Sequence, residues 1–177
     1  ADIDDDGDLD LFIGNSYGST LFFRNTGSAS APAYSQEGGD TPFGITDVGQ
    51  EASPSLVDID HDGDLDLFIG NRTGNTLFFR NTGSASAPAY SQEGGNTPFG
   101  ITDVGDEARL TFTDADGDGD PDLFIGEYNG KTLFFRNTAA TPVAPVNATT
   151  ANGSYGIGDV INLTVGFSEA VVVDTTG

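Results

Sequence analysis

The chain has 177 residues, with 28 acidic against six basic side chains and a formal charge of −22. That balance excludes nucleic acid and anionic membrane surfaces as partners, since both demand basic patches, and it suits cation binding. The absence of cysteine excludes a disulfide framework, a thiolate zinc site and a thiol nucleophile.

The first element along the chain is an aspartate run, DIDDDGDLDLFIGN, starting at Asp2. It recurs as DIDHDGDLDLFIGN from Asp58 and DADGDGDPDLFIGE from Asp114, so the repeat length is 56 residues (2 to 58, 58 to 114). Residues 9–48 and 65–104 differ at only four places, Ser16/Arg72, Tyr17/Thr73, Ser19/Asn75 and Asp40/Asn96, so each copy is expected to fold alike. Within a unit, LDLFIGN reads as a strand. A glycine-centred turn (16–19, 72–75) leads to a second strand, TLFFRNT. The loop GSASAP leads to a third, AYSQE, and ASPSLVDI (52–59) enters the next aspartate run as a fourth. These elements are rich in Phe, Leu, Ile and Val and are bounded by Gly, Pro, Asn and Ser. No stretch sustains a 3.6-residue period, so no helix of consequence is predicted.

Four short strands per repeat describe a β-propeller blade. A closed propeller takes about 4–8 blades, or about 224–448 residues at this repeat length. The expected fold is therefore all-β: a partial propeller of about three four-stranded blades over residues 1–138. The first blade should lack its entry strand, with the missing blades of a longer parent covering the raw edge. An open solenoid is the rival architecture. On this reading the chain is cut at both ends. Residues 139–153 have the Pro, Ala and Thr character of a linker. In 154–177, Ile161, Leu163, Val165 and Phe167 alternate with small or polar residues as a half-buried strand would, and Ala170–Val173 suggests another.

The chemistry lies in the aspartate runs, which hold sixteen of the 28 acidic residues. Carboxylates at positions 1, 3 and 5 converge if the backbone curls, and the glycine at position 6 (Gly7, Gly63, Gly119) supplies the bend. A position-7 carbonyl and a position-9 carboxylate complete the set. Loop one is then Asp2, Asp4, Asp6, Asp8 (carbonyl) and Asp10. Loop two is Asp58, Asp60, Asp62, Asp64 (carbonyl) and Asp66. Loop three is Asp114, Asp116, Asp118, Asp120 (carbonyl) and Asp122. Such a cage of hard oxygens suits Ca²⁺, one per repeat and up to three in all, better than Mg²⁺, which keeps several waters. No His or Cys cluster invites zinc or copper. The bland alternative is a solvated acidic turn without metal. Simple solubility does not require carboxylates at the same four positions three times.

Other residues read as structural. His61 stands at the outward position 4. Phe22-Phe23, Phe78-Phe79 and Phe134-Phe135 are strand residues facing opposite sides. Arg24, Arg80 and Arg136 recur at matching sites, where a nearby Asp or carbonyl is the expected partner. No nucleophile–base pair is present and the metal accounts for the paired carboxylates, so no enzymatic activity is expected and glycosidase chemistry is not supported.

The loop begins like an EF-hand, D-x-D-x-D-G, but position 12 is Ile13, Ile69 or Ile125 rather than Glu, and no helix flanks it. The pattern D-x-D-x-D-G-x-x-D-L leading into a strand, with DLFIGN, TLFFRNTG and Pro-Phe-Gly at 42–44 and 98–100, resembles the FG-GAP repeats of the integrin α-subunit propeller. It is closer still to the FG-GAP-like or VCBS repeats of bacterial secreted and surface proteins. The resemblance covers residues 1 to about 138. It implies calcium at the positions named above, and a secreted or cell-surface module for adhesion or for recognition of an extracellular protein or glycan. An accessory module of a large secreted hydrolase or lyase, with catalysis elsewhere, and a pure spacer are the alternatives. The segment from 154 resembles the start of an Ig-like or cadherin-like repeat.

Overall fold

The computed structural model describes residues 1–4, 6–138, 147–148 and 163–164. In chain order the strands are β1 (Leu11–Gly14), β2 (Thr20–Asn25), β3 (Tyr34–Glu37), β4 (Ser53–Val57), β5 (Asp66–Gly70), β6 (Thr76–Asn81), β7 (Tyr90–Glu93), β8 (Arg109–Thr113), β9 (Asp122–Gly126) and β10 (Thr132–Phe135). Two single 3₁₀ turns, Pro42–Gly44 and Pro98–Gly100, are the helical elements among the described residues. The expected linker and Ig-like segments, 139–153 and 154–177, lie outside the described residues. The exception is a two-residue antiparallel pair, β11 (Asn147–Ala148) with β12 (Leu163–Thr164).

Equal sequence gives equal pairing. The hairpin after each aspartate run has the same register three times: Leu11 opposite Phe23, Leu67 opposite Phe79, and Leu123 opposite Phe135. The middle sheet is complete, in the order β4-β5-β6-β7. The first, β1-β2-β3, lacks the entry strand, as the sequence anticipates. The third, β8-β9-β10, has three strands among the described residues. This is an all-β, propeller-like arrangement of consecutive antiparallel sheets.

The core lies between sheets. Because strand side chains alternate, the two phenylalanines of TLFFRN face opposite ways. Phe79 joins a cluster with Phe22, Ile45, Leu67, Ile69 and Tyr90 between the first and second sheets. Phe78 joins Phe68, Ile101, Leu123 and Ile125 between the second and third. The Pro-Phe-Gly turns lock this packing. Phe43 and Phe99 adopt left-handed backbone (φ 53° and 52°), a conformation unfavourable for an aromatic residue. Ring contacts offset that strain: Phe43 lies 4.8 Å from Phe22, and Phe99 lies 4.9 Å from Phe78, centroid to centroid.

Consecutive sheets are joined by backbone at the glycine that ends the DLFIG strand of the first and of the second sheet. Ala52 N–H donates to the Asn15 carbonyl and Ala108 N–H to the Asn71 carbonyl, each at 3.0 Å. The incoming segment passes so close that a Cβ on Gly14 or Gly70 would stand 1.9 or 2.2 Å from the carbonyl oxygen of Ala52 or Ala108. Only glycine fits there.

Candidate metal centres

Each aspartate run folds into a turn tied by its own carboxylates. The position-1 side chain accepts from the amide of the position-6 glycine: Gly7 to Asp2 at 2.9 Å, Gly63 to Asp58 at 3.1 Å, and Gly119 to Asp114 at 3.1 Å. The position-5 carboxylates accept from the position-7 amides, Asp8 to Asp6, Asp64 to Asp62 and Asp120 to Asp118, all at 2.9 Å. The glycine bend is as anticipated, with φ of 91°, 92° and 93° at Gly7, Gly63 and Gly119. Position 4 also turns left-handed, at His61 (φ 60°) and Gly117 (φ 79°), which the aspartate pattern did not announce.

This curl brings carboxylates together. One oxygen each from Asp2, Asp4 and Asp10, from Asp58, Asp60 and Asp62, and from Asp114, Asp116 and Asp118 lie within 4.8 Å of one another in their own cluster. Positions 1 and 3 belong to every cluster. The third member is position 9 in loop one and position 5 in loops two and three.

Position 9 ties the loop to its hairpin. One oxygen of Asp10, Asp66 and Asp122 accepts from the backbone N–H of Asn25, Asn81 and Asn137, at 2.7, 2.7 and 2.8 Å. The loop is thereby pinned to the end of the second strand of its hairpin. Burial, opposed by the Asn81 hydrogen bond and reinforced by Asp60, pushes Asp66 up from 3.8 to about 6.

The three repeating arginines bind the position-3 aspartates. Arg24 pairs with Asp4, Arg80 with Asp60 and Arg136 with Asp116. Arg24 and Arg80 also hold Glu37 and Glu93 on the outer strand, at 3.1 and 3.2 Å. Each guanidinium lies over a phenylalanine: Phe22, Phe78 or Phe134 at 5.5, 5.4 and 5.9 Å from the ring centre. The expected structural partner is therefore an aspartate of the loop itself. His61 reaches from loop two toward loop three, its Nε2 3.2 Å from the Gly119 carbonyl.

The donor set fits a hard dication. Every candidate donor is an oxygen. One oxygen each of Asp4, Asp58 and Asp66 is buried without a hydrogen-bond partner. Two carboxylates 4.8 Å apart repel by about 1 kcal/mol in water and about 3–4 at an effective dielectric of 20. The arginine offsets one charge in each cluster of three, and a positive ion suits the remainder.

The sequence model of FG-GAP-like repeats matches residues 2–69 and again 58–125. The chain belongs to the FG-GAP-like repeat family. No curated protein and no solved structure is similar enough to count as a match. The two matched spans of the FG-GAP-like repeats run from one aspartate loop into the next and overlap at loop two. Each matched span of this chain contains two aspartate clusters, one repeating arginine and one Pro-Phe-Gly turn.

Proposed function

We propose that this segment is a calcium-binding propeller module of a secreted or cell-surface protein, in which calcium is structural and the blades present a face for adhesion or ligand recognition. The observation that carries the reading is the threefold recurrence of one carboxylate cluster at one place in the fold. Asp2, Asp4, Asp6 and Asp10, with their counterparts Asp58, Asp60, Asp62 and Asp66, and Asp114, Asp116, Asp118 and Asp122, would hold the ions. The carbonyls of Asp8, Asp64 and Asp120 would complete the sets. The bound ion supplies positive charge that cross-links loop to strand. It performs no reaction.

Family membership supports an extracellular setting, where calcium is plentiful and a weak site, Kd about 10⁻⁴–10⁻³ M, is filled. Among the described residues no helix is long and apolar enough to cross a membrane. Calorimetric titration is expected to count three sites. The double variant Asp58→Asn, Asp62→Asn is expected to lower the count to two; three sites remaining in the variant would show that loop two is no ligand. Binding to glycan arrays or matrix proteins that EDTA abolishes supports recognition, and a uniformly silent surface supports a spacer.

The raised Asp66 carboxyl gives a pH signature. Between about pH 4 and 6 the folded, metal-free chain keeps a proton that the unfolded chain releases. Stability without calcium therefore falls as pH rises through that window. Calcium must displace the same proton, so its affinity rises through the window. Melting temperatures from pH 4 to 7 are expected to fall with pH without calcium and to stay nearly level across the same window in saturating calcium. Parallel slopes contradict the assignment of Asp66.

A further inference from the structure

A side chain of loop two reaches into loop three. His61 stands at position 4 of loop two, between the candidate ligands Asp60 and Asp62. Its Nε2 lies 3.2 Å from the Gly119 carbonyl, 58 residues along the chain in the bend of loop three. A carbonyl only accepts, so Nε2 carries the proton and donates. The same nitrogen lies 3.7 Å from Oδ1 of Asp120, a residue only 2% exposed.

The contact falls on the part of loop three whose orientation decides the site. The Gly119–Asp120 peptide is held from both sides: its carbonyl by His61, and its N–H by the position-5 carboxylate of Asp118 at 2.9 Å. Gly119 is itself the bend, with φ of 93°, and its own amide donates to Asp114 at 3.1 Å. The next carbonyl along, that of Asp120, is the position-7 donor of the proposed set. A glycine has no Cβ to restrict its backbone, so an external hold contributes most at this point.

The three copies differ at position 4. His61 reaches loop three from a left-handed backbone, φ 60°. Gly117 takes the same kind of conformation in loop three, φ 79°, but has no side chain to extend. In loop one the position is Asp5, whose ionised carboxylate offers no donor. Of the three, the imidazole alone can donate to a neighbouring loop's carbonyl.

We propose that His61 is a positioning residue for the calcium site of the next repeat, and that through it loops two and three bind calcium with positive coupling. This rests on the calcium reading above. That reading is supported in loop two by Asp66, 2% exposed and with an Oδ2 that has no hydrogen-bond partner. Asp60 and Asp62, drawn onto an ion, fix the backbone on both sides of His61. The imidazole then holds the Gly119–Asp120 peptide, and less ordering remains to be imposed when loop three fills. By reciprocity, filling loop three favours loop two by the same factor.

Calcium titrations of the full 177-residue chain, at one fixed pH and followed through the backbone amide resonances of Gly7, Gly63 and Gly119, read the loops separately. Each of these amides is bonded to the position-1 carboxylate of its own loop. Silencing loop two with Asp58→Asn and Asp62→Asn is expected to raise the calcium midpoint at Gly119 about two- to tenfold, the range that one hydrogen bond transmits, and to leave the Gly7 midpoint unchanged. In a His61→Gly background the same silencing is expected to leave the Gly119 midpoint unmoved. Glycine already serves position 4 of loop three, so this substitution relaxes the left-handed backbone and removes only the imidazole. His61→Gln, whose side-chain amide carries a donor at similar reach, is expected to restore the coupling. A Gly119 midpoint that ignores the loss of loop two, a shift that survives His61→Gly, or coupling that glutamine fails to restore overturns the proposal and leaves the calcium reading standing. Glycine amides that ignore calcium altogether overturn that reading, and this inference with it.

Discussion

Stripped of calcium by excess EDTA, the chain is expected to melt at least about 10 °C below its melting temperature in about 0.1 M calcium, a hundred times the weaker Kd proposed above. A ligand at a hundred times its Kd stabilises the folded state by about 2.7 kcal/mol per site. For a chain of this size each kcal/mol moves the midpoint by about 2–4 °C. Three clusters of three carboxylates, filled together, therefore reach the stated shift even if one contributes little. The structural reason is repulsion. The loops hold acids at contact distances, and arginine answers only one in each cluster. Differential scanning calorimetry at constant pH checks the effect. Magnesium is expected to restore less of the stability, because it surrenders its waters reluctantly. Superimposable curves with and without EDTA would falsify a structural role for calcium.

The second large effect is expected from a single methyl group. Gly70→Ala places a Cβ 2.2 Å from the Ala108 carbonyl oxygen and 2.7 Å from Leu110 Cδ1. The carbonyl belongs to backbone fixed by the Ala108-to-Asn71 hydrogen bond, so it cannot retreat without parting the second and third sheets. Overpacking of this kind costs about 1–3 kcal/mol and occasionally more; the upper end is expected here, since backbone rather than side chain must move. Gly126 ends the corresponding strand of the third sheet, and a Cβ there meets nothing within 4 Å. Gly126→Ala is accordingly expected to change stability by less than about 0.5 kcal/mol. Denaturant titrations of the two variants compare the same substitution at equivalent points of the repeat. Equal losses contradict the close approach as the device that joins the sheets.

Much of this was legible because the repeat states it three times. The spacing of 56 residues fixed the number of units. Apolar runs bounded by Gly and Asn marked the hairpins, and period-2 alternation placed Phe78 and Phe79 on opposite faces. Carboxylates at positions 1, 3 and 5 around a glycine bend announced the clusters, since that pattern is local and needs only one turn of backbone. What stayed hidden depends on contacts distant in sequence. Arg80 meets Asp60 from twenty residues away, and recurrence alone could not distinguish an aspartate partner from a carbonyl. The double use of Asp10, toward both its loop and the Asn25 amide, appears only once strand β2 is laid beside β1. The left-handed backbone of Phe43 runs against its intrinsic preference, and only its packing against Phe22 and Tyr90 explains why it is tolerated.

Crystals grown in excess calcium and measured for anomalous scattering put the central claim to its most direct trial. The account expects three peaks, one in each aspartate turn, ringed by carboxylate oxygens at about 2.3–2.6 Å and lying one repeat apart along the chain. Featureless maps at all three turns, with Asp58, Asp60 and Asp62 splayed into solvent, would contradict it.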